Sequence, residues 1–222
     1  MFKLFKKDIF NLFVSPNKIR YIDFSKNLKV ILCYYFIFTV LLLLFSIIIS
    51  SLKQFFGSEP KLFVNKEIQF FEVVLIVPVL EEILFRLMLR VNKFNLLIFS
   101  IWVFIFILYK NFALNITSLI VLCLLFFLLF SLKNNKSKLN LSKHESRFFP
   151  LSFLLYLSCF LFGAIHLLNF DSLDILNITI ILYMISKVVA GFVFALLRLK
   201  FGIFSSIIFH VFLNSLAYYL IS

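Results

Sequence analysis

Two adjacent glutamates, Glu81 and Glu82, with Arg86 close behind, stand in the apolar stretch VPVLEEILFRLMLR. Two histidines have similar surroundings. His166 closes FLFGAIH, with Phe162 four residues before it, and His210 opens HVFLN, with Asn214 four residues after it. Ionisable side chains inside apolar helices are costly, so each calls for a partner or a function. Residues four apart on a helix share a face, whereas neighbours diverge by about 100°. Glu82 can therefore pair with Arg86, which leaves Glu81 as a carboxylate facing elsewhere and available as a general base toward water. Each element also has a purely structural reading. Glu82 and Arg86 could lock a helix beside a snorkelling Glu81, His166 could be a hydrogen-bonded packing residue, and His210 with Asn214 could join two helices. Taken together, two carboxylates, two histidines and an amide on three segments supply a base, groups to hold or polarise water, and donors for a developing oxyanion. That inventory suits peptide-bond hydrolysis.

The elements that must position these groups are set by composition. Of the 222 residues, 63% are hydrophobic and only 14% charged, and the mean hydropathy is +1.09. No single water-soluble core absorbs so much apolar surface, so the solvent is lipid. A spanning helix needs roughly 20 apolar residues, and seven such runs are read: Leu28 to Ser50, Ile68 to Leu89, Phe94 to Tyr109, Phe112 to Leu132, Phe148 to Leu168, Ile175 to Leu197 and Ile203 to Ile221. Nothing alternates at period two as a membrane barrel would. The fold class expected is an all-α polytopic transmembrane helix bundle. Residues 1–27 form a basic cytoplasmic amino-terminal segment, and residues 28–222 form one transmembrane domain.

The net charge of +12 is distributed as a topology signal. With the N-terminus inside, only Lys53, Lys61, Lys66 and Lys110 of the 22 basic residues fall outside. Arg86 and Lys187 lie within spans, and the remaining sixteen face the cytoplasm. This asymmetry obeys the positive-inside rule and places the C-terminus outside. Basic loops against an anionic inner leaflet account for the charge, so no nucleic-acid partner is expected. The first apolar run is too long for a signal-peptide core and lacks a small-residue cleavage pattern, so a retained signal anchor is expected. Cys33, Cys123 and Cys159 fall within spans without metal-ligand spacing and read as small buried hydrophobes.

The patterns EExxxR in EEILFR, FxxxH in FGAIH and HxxxN in HVFLN, in that order on separate helices, resemble the three motifs of the CPBP intramembrane protease family. That family contains the CAAX prenyl endopeptidases and the bacterial bacteriocin-processing and self-immunity (Abi) proteins. The segment from Gly191 to Asn214 is similar to the family's approach to its last motif, and the resemblance covers roughly Ile68 to Ala217. It implies that Glu81 is the general base, that His166 helps to hold the attacking water, and that His210 and Asn214 orient the substrate carbonyl and stabilise its oxyanion. Glu82, Arg86 and Phe162 would support the site. The family is commonly labelled a metalloprotease, although a metal-free glutamate mechanism is also proposed for it. The cofactor is therefore either a divalent metal such as zinc, held by Glu81, His166 and His210, or none. The spacing here is not H-E-x-x-H, so a metal would be collected from separate helices.

Two features depart from the family pattern. Residues 94–143 insert two spans and a basic loop between the first and second motifs, and Leu87 follows Arg86 where glycine is frequent. The depths also differ. At about 1.5 Å per residue, Glu81 and His210 lie roughly 10 to 14 Å from the cytoplasmic ends of their spans, whereas His166 lies about 24 Å from the start of its own. Convergence requires the fifth span to begin deeper or to tilt. Lys187 belongs to no motif and is expected to pair structurally with Glu72 or a backbone carbonyl, or else to neutralise an acidic site. Glu72 is expected near an interface without a role.

The function expected is hydrolysis of a peptide bond in a membrane-associated peptide or protein. The location expected is the cell membrane, multi-pass, and the many Phe, Ile, Asn and Lys residues suggest a bacterial inner membrane. The alternative is a non-catalytic immunity or interaction protein of the same fold. A proton-coupled transporter fits less well, because the paired Gly or Pro breaks and half-to-half symmetry of repeat-built transporters are missing.

Overall fold

The computed structural model of the chain describes residues 2–24, 27–56, 70–89, 151–169 and 177–221. These residues form helices and connecting turns, with no strand among them. Helix α1 covers Phe2–Val14 and α2 covers Leu28–Phe56. A π-helical turn, Glu72–Ile76, runs into α3, Val77–Arg86, which tightens into a 3-10 turn at Leu87–Leu89. Helix α4 covers Leu151–Ile165 and ends in a 3-10 turn, His166–Asn169. Helices α5, Ile178–Phe201, and α6, Ile203–Ile221, complete the bundle.

Helices α2 and α5 are long and apolar enough to cross a membrane, while α4 and α6 are apolar but shorter. Five of the seven expected spans overlap described helices. The expected spans Phe94 to Tyr109 and Phe112 to Leu132, the basic loop after them, and Cys123 lie outside the described residues. Cys33 and Cys159 are free thiols, Cys159 fully buried.

Helix α5 is the hub, packing against α2, α4 and α6. Its start is capped by Asn177, whose side-chain oxygen accepts from the Thr179 amide at 3.0 Å, the usual way to satisfy an orphan amide at a helix entrance. Its end is set by Gly202, where φ is 97°. A residue without Cβ occupies that left-handed region at little cost, so α5 turns into α6 through one residue and the two pack as an antiparallel pair. Helices α4 and α5 approach closely at Gly163. A Cβ there would collide with the Val188 side chain and come within 3.1 Å of the Met184 carbonyl oxygen.

The amino-terminal segment, expected as a basic cytoplasmic stretch, is mostly helix. Lys3, Lys6 and Lys7 are exposed, while Phe5, Asp8, Asn11 and Leu12 point into the bundle at helical spacing. Asp8 meets Lys200 Nζ at 2.5 Å and accepts from the Tyr34 hydroxyl at 2.5 Å. At the other end of α1, the Tyr156 hydroxyl donates to the Phe13 carbonyl at 2.8 Å. Helix α1 is thereby fastened to α2, α4 and α5.

Candidate active site

The first layer of the site fixes the backbone. Arg86 is fully buried, and its Nη1 donates to the Ser158 hydroxyl at 2.6 Å, which in turn donates to the Phe85 carbonyl at 2.6 Å. This pair of bonds sets α4 against the end of α3. From α5, Arg198 Nε donates to the Arg86 carbonyl at 3.3 Å. The Arg86 guanidinium also lies over the Phe162 ring, 4.9 Å from its centroid, a cation–π contact strengthened by exclusion of water. Room for it comes from Gly191, where a Cβ would come within 3.3 Å of Arg86 Nη2, the Cys159 Cα and the Phe162 ring.

The second layer is built on Glu82, which is fully buried. Its carboxylate takes a short hydrogen bond from the Ser206 hydroxyl, faces Arg86 Nε at 3.9 Å and accepts from His210 Nδ1 at 3.1 Å. The expected Glu82 and Arg86 pair is present, but it is one part of a larger network. The His210 ring stacks on Phe194, with centroids 4.2 Å apart and planes at 20°. Phe162, expected only as a neighbour of His166, meets Phe85, Phe194 and His210 edge-on and sits 4.8 Å from the His166 ring.

The third layer is the reactive one. Glu81 leaves α3 on a different face from Glu82 and projects its carboxylate between the two histidines. His166 Nε2 is 3.8 Å from one oxygen and His210 Nε2 is 3.5 Å from the other. The Glu81 and His166 side chains keep 16% and 11% exposure, against 4% for His210, so the group opens outward along Glu81 and His166. The tautomers follow from the second partners. His166 Nδ1 sits 2.7 Å from the Phe162 carbonyl, and His210 Nδ1 faces the Glu82 carboxylate. Both partners only accept, so both Nδ1 atoms carry the proton, and in the neutral rings both Nε2 lone pairs face Glu81. Three acceptors converge, and the two hydrogens of a water can bridge Glu81 to one of the histidines.

The same three groups are those a divalent cation would use, and the second partners on each histidine are of the kind that orient metal ligands. Among the described residues, however, no group of three or more His, Cys, Asp or Glu side chains is arranged to hold a metal ion.

The depth mismatch is resolved by local geometry. Ser158, not the start of α4, is level with Arg86. His166 lies eight residues beyond Ser158, about 12 Å along α4, and Glu81 five residues before Arg86, about 7.5 Å along α3. The bond from His166 Nδ1 to Phe162 folds the ring back by one turn and closes the difference.

Asn214 joins two helices, as its structural reading has it. Its Nδ2 donates to the Val73 carbonyl at 3.0 Å, within the π-helical turn whose wide register leaves carbonyls in need of partners. One amide hydrogen thus supports the turn that leads into α3. Lys187 is partly buried, with Nζ 5.2 Å from the Tyr183 ring centroid; it pairs with neither Glu72 nor any other acidic group among the described residues. Ser158, Ser206, Phe194 and Arg198 were not expected at the site. Ser206 could have been found by spacing, since it precedes His210 by four residues as His210 precedes Asn214. No protein-family model, curated protein or solved structure matches the chain.

Proposed function

We propose that the protein is an intramembrane endopeptidase of the CPBP type, a multi-pass protein of the cell membrane that hydrolyses a peptide bond with water activated by Glu81. The observation that carries this reading is the Glu81 carboxylate set between two imidazole Nε2 atoms contributed by two other helices. In the reaction, water bound among these groups gives a proton to Glu81 while its oxygen attacks the scissile carbonyl carbon. The carbonyl π electrons move to oxygen. When the tetrahedral intermediate collapses, the carbon–nitrogen bond breaks and the amine takes the proton from the Glu81 carboxyl, leaving an acid and an amine. His166 and His210 hold the water through their Nε2 acceptors, and Glu82 with Ser206 holds His210.

The seven-span arrangement with the N-terminus inside belongs to the same reading. Arg86, Arg198 and Lys200 then lie toward the cytoplasmic end of the bundle, and the substrate is a membrane-associated peptide or protein that reaches Glu81 from the bilayer.

The test is cleavage of apolar peptides by the purified protein in proteoliposomes, read by mass spectrometry. Glu81→Gln keeps size and hydrogen-bonding capacity but removes the base, so cleavage should fall by about 10³-fold or more, in line with loss of a principal catalytic group, with unchanged thermal unfolding. Full activity in this variant would remove Glu81 from the mechanism. Retention of a protective or partner-holding role in cells by the same variant would favour a non-catalytic immunity protein.

A further inference from the structure

The side chain that the site leaves unexplained is Lys187. Helix α5 turns one face toward the site: Gly191 lies against Phe162 and Arg86, Phe194 stacks on His210, and Arg198 holds the Arg86 carbonyl. Lys187 continues that face one turn beyond Gly191, at the spacing that keeps residues on one side of a helix. Its ammonium leans over Tyr183 and interacts electrostatically with both Glu81 and His166, yet it forms no salt bridge among the described residues. An ammonium in an otherwise apolar segment carries a desolvation cost. The chain meets that cost elsewhere with close partners, as at Lys200 with Asp8. At Lys187 a single aromatic face is present instead.

Resting on the endopeptidase reading above, we infer that Lys187 is a specificity-determining residue that binds a carboxylate of the substrate. Its backbone stands about 10 Å along α5 from Phe194, which marks the level of His210. An extended peptide covers that distance in about three residues at roughly 3.3 Å each. The carboxylate therefore belongs to the substrate close to the scissile bond rather than to the carbonyl being attacked. It is either the free C-terminus of a short leaving segment or an acidic side chain within about three residues. Both present the same two oxygens to the ammonium for a charge-assisted hydrogen bond.

The experiment uses the full chain in proteoliposomes and a pool of N-acetylated fluorescent apolar heptapeptides made in three forms: free C-terminal carboxylate, C-terminal amide, and C-terminal amide with one internal glutamate. Binding is measured to the Glu81→Gln protein, and cleavage to the protein with Glu81 intact, each with Lys187 present, as Lys187→Met and as Lys187→Arg. Lys187→Met should raise KM and Kd by about tenfold or more for a carboxylate form, the scale expected for losing a charge-assisted hydrogen bond. It should leave KM and Kd for the plain amide unchanged, with Lys187→Arg restoring most of the loss. The form affected identifies the source of the carboxylate. Equal effects on all three forms, or no effect, overturn the inference while cleavage stands. Lys187-dependent binding of carboxylate forms without any Glu81-dependent cleavage would keep the anion site and overturn the endopeptidase reading. Absence of both overturns both.

Discussion

Two clusters of buried charge lie among the described residues, and they are built on opposite plans. At the junction of α1, α2 and α5, Asp8 meets Lys200 and Tyr34, both at 2.5 Å, and Lys200 also lies near the Tyr34 and Phe201 rings. One anion, one cation and one hydroxyl are used up on each other. At the junction of α3, α4 and α6, Glu82 is likewise met by Arg86, Ser206 and His210, but among the described residues Glu81 beside it meets only imidazole nitrogens at 3.5 and 3.8 Å. Where a carboxylate is met by donors and cations from other helices, the cluster holds helices together. Where a carboxylate is surrounded by acceptors and retains some exposure, it is poised to take a proton from something else.

Five variants test that contrast, beginning with the largest effect. Glu81→Gln, as above, should abolish turnover while sparing stability; unfolding of this variant would make Glu81 a structural group like Asp8. Asp8→Ala strands Lys200 and should cost about 3–5 kcal/mol of stability, the range for breaking one partner out of a buried pair. Chemical unfolding in detergent measures it. Asp8→Leu with Lys200→Met should recover most of that loss, because apolar replacement of a whole buried pair is often neutral. Failure to recover would mean that the charges also orient α1.

Gly163→Leu forces α4 away from α5, with an overpacking cost of about 1–3 kcal/mol, and should shift His166 enough to reduce turnover by more than its effect on unfolding alone. A cysteine crosslink between α3 and α4 would register the displacement. The smallest effect is expected for Ser206→Ala. It removes one donor to Glu82 and should cost about 1–2 kcal/mol, with turnover lowered by loosening of His210 and with Glu81 still the base. An unchanged unfolding midpoint would place the Ser206 bond outside the supporting network.

Much of the site is legible in the sequence because local periodicity writes it there. Four-residue spacing puts Glu82 with Arg86, Phe162 with His166 and His210 with Asn214 on shared faces, and adjacency puts Glu81 off the Glu82 face; all of this follows from helix geometry alone. Helix α1 is harder to see, since three lysines within its first two turns mask the Phe5, Asp8 and Leu12 stripe that makes it a packed element. Ser158 and Ser206 are hidden for a different reason: a serine in an apolar helix looks alike whether it bonds its own backbone or another helix.

The sequence by itself determined an all-helical chain, its apolar segments, and which polar residues share a helical face, because these depend only on composition and on the 3.6-residue repeat. The tertiary structure decided that His210 touches both glutamates, that Asn214 supports the turn before α3, that His166 folds back to reach Glu81, and that Lys187 has no salt bridge among the described residues. Each depends on the offset and rotation between helices, which close packing at positions such as Gly163 and Gly191 sets and which no single helix encodes.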